Sequence, residues 1–84
     1  MLTQNRYFKI ALKKTATARP RRQKVHEVVK LPQGYRMGYI KYFGPWRVFC
    51  FFSDPDQAYN ADCLRLITGV LDVLNAGGDP YKQD

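Results

Sequence analysis

Apolar and polar residues alternate over residues 6–12, RYFKIAL. Phe8, Ile10 and Leu12 fall on one side of an extended chain, and Tyr7, Lys9 and Ala11 on the other. A period of two marks a half-buried strand. The next segment, KKTATARPRRQK over 13–24, has no large apolar residue and six basic ones. It has nothing to bury and reads as an exposed loop or arm, with Pro20 disfavouring regular structure at its middle. Residues 25–31, VHEVVKL, return to β-branched residues. Val25, Val29 and Leu31 share a face with Glu27 if the segment is extended; Val25, Val28 and Val29 would group if it were a short helix. The valine content favours the strand. After the turn signal Pro32-Gln33-Gly34 come two aromatic strands, 35–43 (YRMGYIKYF) and 46–52 (WRVFCFF), joined through Gly44-Pro45. In the second, Trp46, Val48, Cys50 and Phe52 share one face, and Arg47, Phe49 and Phe51 the other.

The pattern changes period after Ser53-Asp54-Pro55-Asp56. Asn60 is a good N-cap, and Asp62 places negative charge in the first turn. Cys63, Leu64, Leu66, Ile67, Val70, Leu71, Val73 and Leu74 then recur at helical spacing until Gly77-Gly78, with Pro80 beyond. The predicted fold is α+β. An antiparallel sheet of about four strands is followed by one C-terminal helix packed on one face (β-β-β-β-α). It forms one domain over 1–78, with the basic arm at 13–24 and a loose tail at 79–84. The helix is expected to cover Phe8, Ile10, Leu12, Val48, Cys50 and Phe52, with Trp46 on that same core face. Nothing remains to cover the other face, where Tyr7, Tyr35, Tyr39, Phe49 and Phe51 are expected. Such a face calls for a ligand, the folded-back arm or a second subunit, so a homodimer is one expectation.

Charge sharpens this reading. The 84 residues carry a net +7, unevenly spread. Residues 1–52 hold twelve Lys and Arg and one acid, Glu27; residues 53–84 hold two basic residues and six Asp. A strongly basic part favours a polyanionic partner, nucleic acid being the commonest. Cations interleaved with aromatics on an open sheet face suit single-stranded DNA or RNA, because bases stack on rings while cations meet phosphates. The candidate nucleic-acid-binding residues are Lys9, Lys13, Lys14, Arg19, Arg21, Arg22, Lys24, Tyr35, Tyr39, Lys41 and Arg47. The alternative for the aromatics is plain packing, which sheets also favour.

Catalytic chemistry finds little footing. The one histidine, His26, lies in an apolar strand and reads as a packing or surface residue. Two cysteines and one distant histidine do not make a metal set, and no phosphate-binding glycine motif is present. Asp54, Asp56 and Asp62 read as turn and capping residues. No enzyme activity, metal or cofactor is expected. Cys50 and Cys63 sit among apolar residues and read as buried free thiols. No signal peptide or spanning segment is evident, which points to the cytoplasm and to no membrane partner.

The stretch from Gly38 to Ala76 resembles a family of short uncharacterised proteins of bacteriophages and prophages. The similarity rests on Gly38, Ile40, Trp46-Arg47, Phe51-Phe52, Asp54-Pro55 and Cys63-Leu64 with Ile67, about half the chain. The chain departs from the pattern at the turn, where Ser53-Asp54 precede Pro55. The resemblance implies a viral origin, hence a host-cell cytoplasm, and supplies no chemistry. The strand-strand-strand-strand-helix order is also similar to that of Whirly-type and coactivator-type single-strand binders, an analogy of element order alone. Two readings follow. One is a small basic protein that binds nucleic acid through its arm and aromatic sheet face. The other is an interaction factor or inhibitor that docks on a host protein or nucleoprotein.

Overall fold

The computed structural model describes residues 3–12 and 24–81. Four strands form one antiparallel sheet in the order of the chain: β1 (Phe8–Leu12), β2 (His26–Lys30), β3 (Arg36–Phe43) and β4 (Val48–Ser53). A single helix, α1 (Ala61–Asn75), follows. The architecture is the α+β layout read from the pattern of the chain.

Alternation explains which side each strand buries. Phe8 and Ile10 point under the helix, opposite Lys30 and Val28 of β2. His26, Val28, Ile40, Phe49 and the half-buried Phe51 continue the same layer. From above, Cys63, Leu66, Ile67, Val70 and Leu74 close the core. Their spacing of three and four residues keeps them on one stripe of α1.

The register of β4 differs from the expectation. Trp46 and Arg47 belong to the turn 44–47, and β4 starts at Val48. Tyr42 opposes Phe49 and Ile40 opposes Phe51, so Phe49 and Phe51 face the helix. Val48, Cys50 and Phe52 stand on the other face, opposite Phe43, Lys41 and Tyr39. A strand apolar on both faces carries no parity signal of its own, so the turn sets the register. Trp46 is therefore no core residue: it is 72% exposed. Cys50 is half-buried on the open face, while Cys63 is buried as expected. In β2, His26 and Val28 face the core, and Glu27 and Val29 share the open face.

Between Val28 and Val29 the β2–β3 register slips, Val28 pairing with Gly38 and Val29 with Arg36. Met37 is the extra residue, and it is buried. Gly38 has no room for a side chain: a Cβ there would meet the Phe52 carbonyl oxygen at 2.6 Å and the Phe51 ring at 2.7 Å.

The ends of α1 are fixed locally. The Asn60 side chain accepts the Cys63 N–H at 2.9 Å, and Gly77, at φ 82°, ends the helix in the left-handed region that glycine tolerates. Asn75 also reaches the free edge of β4. Its Oδ1 accepts the Phe49 N–H at 2.6 Å, and its Nδ2 donates to the Phe49 carbonyl at 3.4 Å. Packing extends past the expected boundary at residue 78. Pro80 is buried, and the Tyr81 ring stacks on His26 at 5.6 Å, with its hydroxyl 2.6 Å from Nδ1.

Candidate nucleic-acid interface

The face of the sheet away from α1 is laid out by its pairing. Lys9, Val29 and Arg36 form one row across the strands; Ala11, Glu27, Tyr39 and Phe52 form the next. Lys41 pairs with Cys50, and Phe43 with Val48 nearest the 44–47 turn. Aromatics thus collect on the β3–β4 half of the face, and they touch one another. Trp46 meets Phe43 edge-on at 5.2 Å between centroids. Phe43 meets Phe52 at 6.0 Å, and Phe52 stacks on Tyr39 at 5.2 Å. The Arg36 guanidinium lies 5.2 Å over the Tyr39 ring. These contacts make one aromatic strip that runs diagonally from the hairpin tip towards the middle of the sheet.

The cations along the strip are of two kinds. Arg36 is already engaged. Its Nε and Nη2 donate to the two carboxylate oxygens of Asp54 at 2.9 and 3.1 Å, and Glu27 lies 3.9 Å away. The Asp54 carboxylate accordingly raises the Arg36 pKa. Lys9, Lys41 and Arg47 are exposed, and among the described residues they form no ion pair. Lys41 sits two residues from both Tyr39 and Phe43 on the strip. Arg47 follows Trp46, at φ 56°. That is the left-handed region, uncommon for a residue with a Cβ. Its N–H donates to the Phe43 and Gly44 carbonyls at 2.9 and 3.1 Å, which closes the turn.

The candidates of the sequence are thus partly assembled. Tyr39, Lys41 and Arg47 come together at the strip. Lys9 shares the face but stands two strands away, at the level of Arg36. Tyr35 is exposed in the connection between β2 and β3, at the opposite end of β3 from Trp46. Phe49 and Phe51 leave the candidate face altogether. Lys13, Lys14, Arg19, Arg21 and Arg22 lie outside the described residues. Lys24 is described and exposed. Topology still locates the ends of the basic segment: Leu12 pairs with His26, and His26 with Ile40. The 13–24 connection therefore leaves the sheet at the end where β3 runs on into the Trp46-Arg47 turn.

Three residues of the strip were missed: Phe43, Trp46 and Phe52. The signal that could have found Trp46 is the Gly44-Pro45 pair just before it, which places it in a turn.

Elsewhere, burial governs the titratable groups. The Cys63 thiol is pushed up to about 11 by desolvation, and the Tyr81 phenol is raised by burial and by Asp79. Among the described residues no three His, Cys, Asp or Glu side chains gather to hold a metal, and no helix is long and apolar enough to cross a membrane. A groove of about 590 Å³ opens between the 5–7 turn and α1, lined by Arg6, Tyr7, Asp62, Arg65, Leu66 and Gly69. No family model matches the chain, and comparisons with curated proteins and with solved structures found no significant match.

Proposed function

We propose that this protein binds nucleic acid on the open face of its sheet, with the basic 13–24 segment adding phosphate contacts. The observation that carries this reading is the aromatic strip from Trp46 to Tyr39, bordered by Lys41 and Arg47, which form no ion pair among the described residues, and lying at the sheet end where the basic segment departs. Such cations suit phosphates, and the exposed indole of Trp46 suits a base, with the half-buried Tyr39, Phe43 and Phe52 rings continuing the apolar strip behind it. A second copy of the chain is a poorer occupant. It would press together two faces that each carry Lys9, Arg36, Lys41 and Arg47, with Glu27 as the one acid in the paired rows. The viral setting implied by the 38–76 motif belongs to the same reading. The direct test is the affinity of a labelled random oligonucleotide at two salt concentrations. Binding that weakens steeply with salt supports the reading, with the log–log slope growing by roughly 0.7–0.9 per phosphate contact. Absence of binding at low salt overturns it.

One observation favours docking on a host protein instead: the groove between the 5–7 turn and α1, whose lining is largely apolar and includes Arg6 and the Arg65–Asp62 pair. Capture of one host protein by a chain that ignores oligonucleotides would support that reading.

A further inference from the structure

Resting on the nucleic-acid reading, we propose that the ligand is a single strand, and that the Trp46-Arg47 pair at the β3–β4 hairpin tip is its principal contact. One unpaired base stacks on the indole, and the adjoining phosphate meets the guanidinium. Three features of the tip converge on this.

Among the described residues Trp46 is the most exposed of the large apolar side chains, at 72%, yet it packs against a neighbour. Its ring meets Phe43 at 5.2 Å between centroids with the planes nearly perpendicular, at 89°. Phe43 therefore does not stack flat on the indole, and most of the indole surface stays open. An exposed indole held by a perpendicular neighbour is a stacking platform. It suits bases, each of which presents a π-face once unpaired.

Arg47 holds a left-handed conformation at φ 56° in the last position of the turn. Glycine takes that conformation without strain, so arginine there costs the fold something that glycine would relieve. In return it sets a cation next to Trp46 in the chain, and among the described residues no carboxylate pairs with it.

The strip selects the strand form. In a duplex the base faces are stacked on one another and hidden, so rings at a protein surface meet only groove edges and backbone. From Trp46 the contacts run through Phe43 and Phe52 to Tyr39 with centroid steps of 5.2, 6.0 and 5.2 Å. Lys41 stands beside this line. A single strand laid along it would meet rings and cations together.

Trp46 is the one tryptophan of the chain, so its emission reports the site without a label. The 84-residue chain is titrated at low salt with a twelve-nucleotide oligothymidylate and, separately, with a duplex of equal length. Tryptophan emission and the anisotropy of end-labelled nucleic acid are both followed. Oligouridylate in parallel separates RNA from DNA as the source of the strand. The expected result is quenching by the single strand and an affinity for it about tenfold or more above that for the duplex. Trp46→Ala should weaken single-strand binding by about tenfold, as loss of one stacked base implies, while Trp46→Phe keeps most of it. Arg47→Gly should melt no lower than the parent and still bind more weakly. If single strand and duplex bind alike, emission does not change and Trp46→Ala binds as the parent does, the inference is overturned while the nucleic-acid reading stands. If neither oligonucleotide binds at low salt, both fall.

Discussion

The two faces of this sheet use similar residues for opposite ends. On the covered face Phe8, Ile10, Val28, Ile40 and Phe49 meet the aliphatic stripe of α1, and none is more than 7% exposed. On the open face no layer of described residues lies above Tyr39, Phe43 and Phe52, and their rings pair with one another and with Trp46. Ring content therefore does not mark a core. What separates the faces is charge. The covered face carries its polar groups, His26 and Lys30, near the ends of β2. The open face has Lys9 and Lys41 set among its apolar residues, where no helix could cover them without desolvating a cation. A cation between rings is the feature that keeps a helix off this face.

The largest contrast should appear in the two thiols, one on each side of that division. Cys63 has no exposed surface and is reached only when the core opens, while Cys50 is half-buried on the open face. A thiol reagent under native conditions should label Cys50 at least about a hundredfold faster than Cys63. Equal rates would mean that the faces are not distinct. The same burial fixes a pH dependence. The Cys63 thiol ionises near 9.0 when unfolded and near 11 when folded. Between those values the unfolded chain has lost the proton and the folded one retains it, so stability is fully present below about pH 9 and falls as pH rises towards 11. Tyr81, also raised by burial, adds to the alkaline loss at higher pH. Urea melts of the parent and Cys63→Ala across this range should show a shallower decline in the variant.

Ile40 sharpens the comparison energetically. It is fully buried at the centre of the covered layer. Ile40→Ala should cost about 2–5 kcal/mol, which is most of what a domain of this size has to lose. Gly38→Ala, one register step away, should cost roughly 1–3 kcal/mol, because the added carbon meets a backbone oxygen at 2.6 Å that cannot step aside. Chemical denaturation checks both, and a Gly38→Ala protein as stable as the parent would show that β4 yields there.

How much of this was legible in the sequence depends on whether a strand carries a parity signal. In β1, Phe8 and Ile10 alternate with Lys9, so the buried side could be read directly. In α1, a stripe of eight apolar residues between Asn60 and Gly77 left little choice. In β4 every position from Val48 to Phe52 is apolar, and the face is decided by a turn that takes Trp46 and Arg47 out of the strand. In β2 a single histidine hid the answer. His26 looks polar, yet it faces the core because Tyr81, some fifty-five residues away, stacks on it and hydrogen-bonds to Nδ1. No local pattern carries a contact that distant. The candidate site suffered the same loss: Lys41, Tyr39 and Arg47 could be put forward from the aromatic and basic pattern, whereas placing Phe43, Trp46 and Phe52 beside them needed the register.

Tyr81→Phe tests that distant contact with a smaller effect. It removes the hydroxyl facing Nδ1 and keeps the stacked ring, so a loss near 1 kcal/mol is expected by thermal or urea melting. A neutral substitution would mean that stacking and the burial of Pro80 alone hold residues 79–81 in place.

The smallest stability effect, and the one that most sharply divides the faces, is Trp46→Ala. A tryptophan in a core costs about 3–5 kcal/mol when truncated to alanine. Trp46 is 72% exposed and meets Phe43 with the ring planes perpendicular, so its truncation removes one T-shaped ring contact and little buried surface. The expected loss is about 0.5–1 kcal/mol, within the range of an exposed aromatic pair. Its turn survives, since the bonds that close it are the backbone N–H groups of Trp46 and Arg47 to the Phe43 carbonyl, at 3.2 and 2.9 Å, and alanine keeps both. A variant that melts close to the parent places the indole outside the core, where what it loses must be read in binding. A loss of several kcal/mol would mean that the ring folds down onto Phe43 and Phe52 as a lid. The open face would then be a second small core, closed to any base.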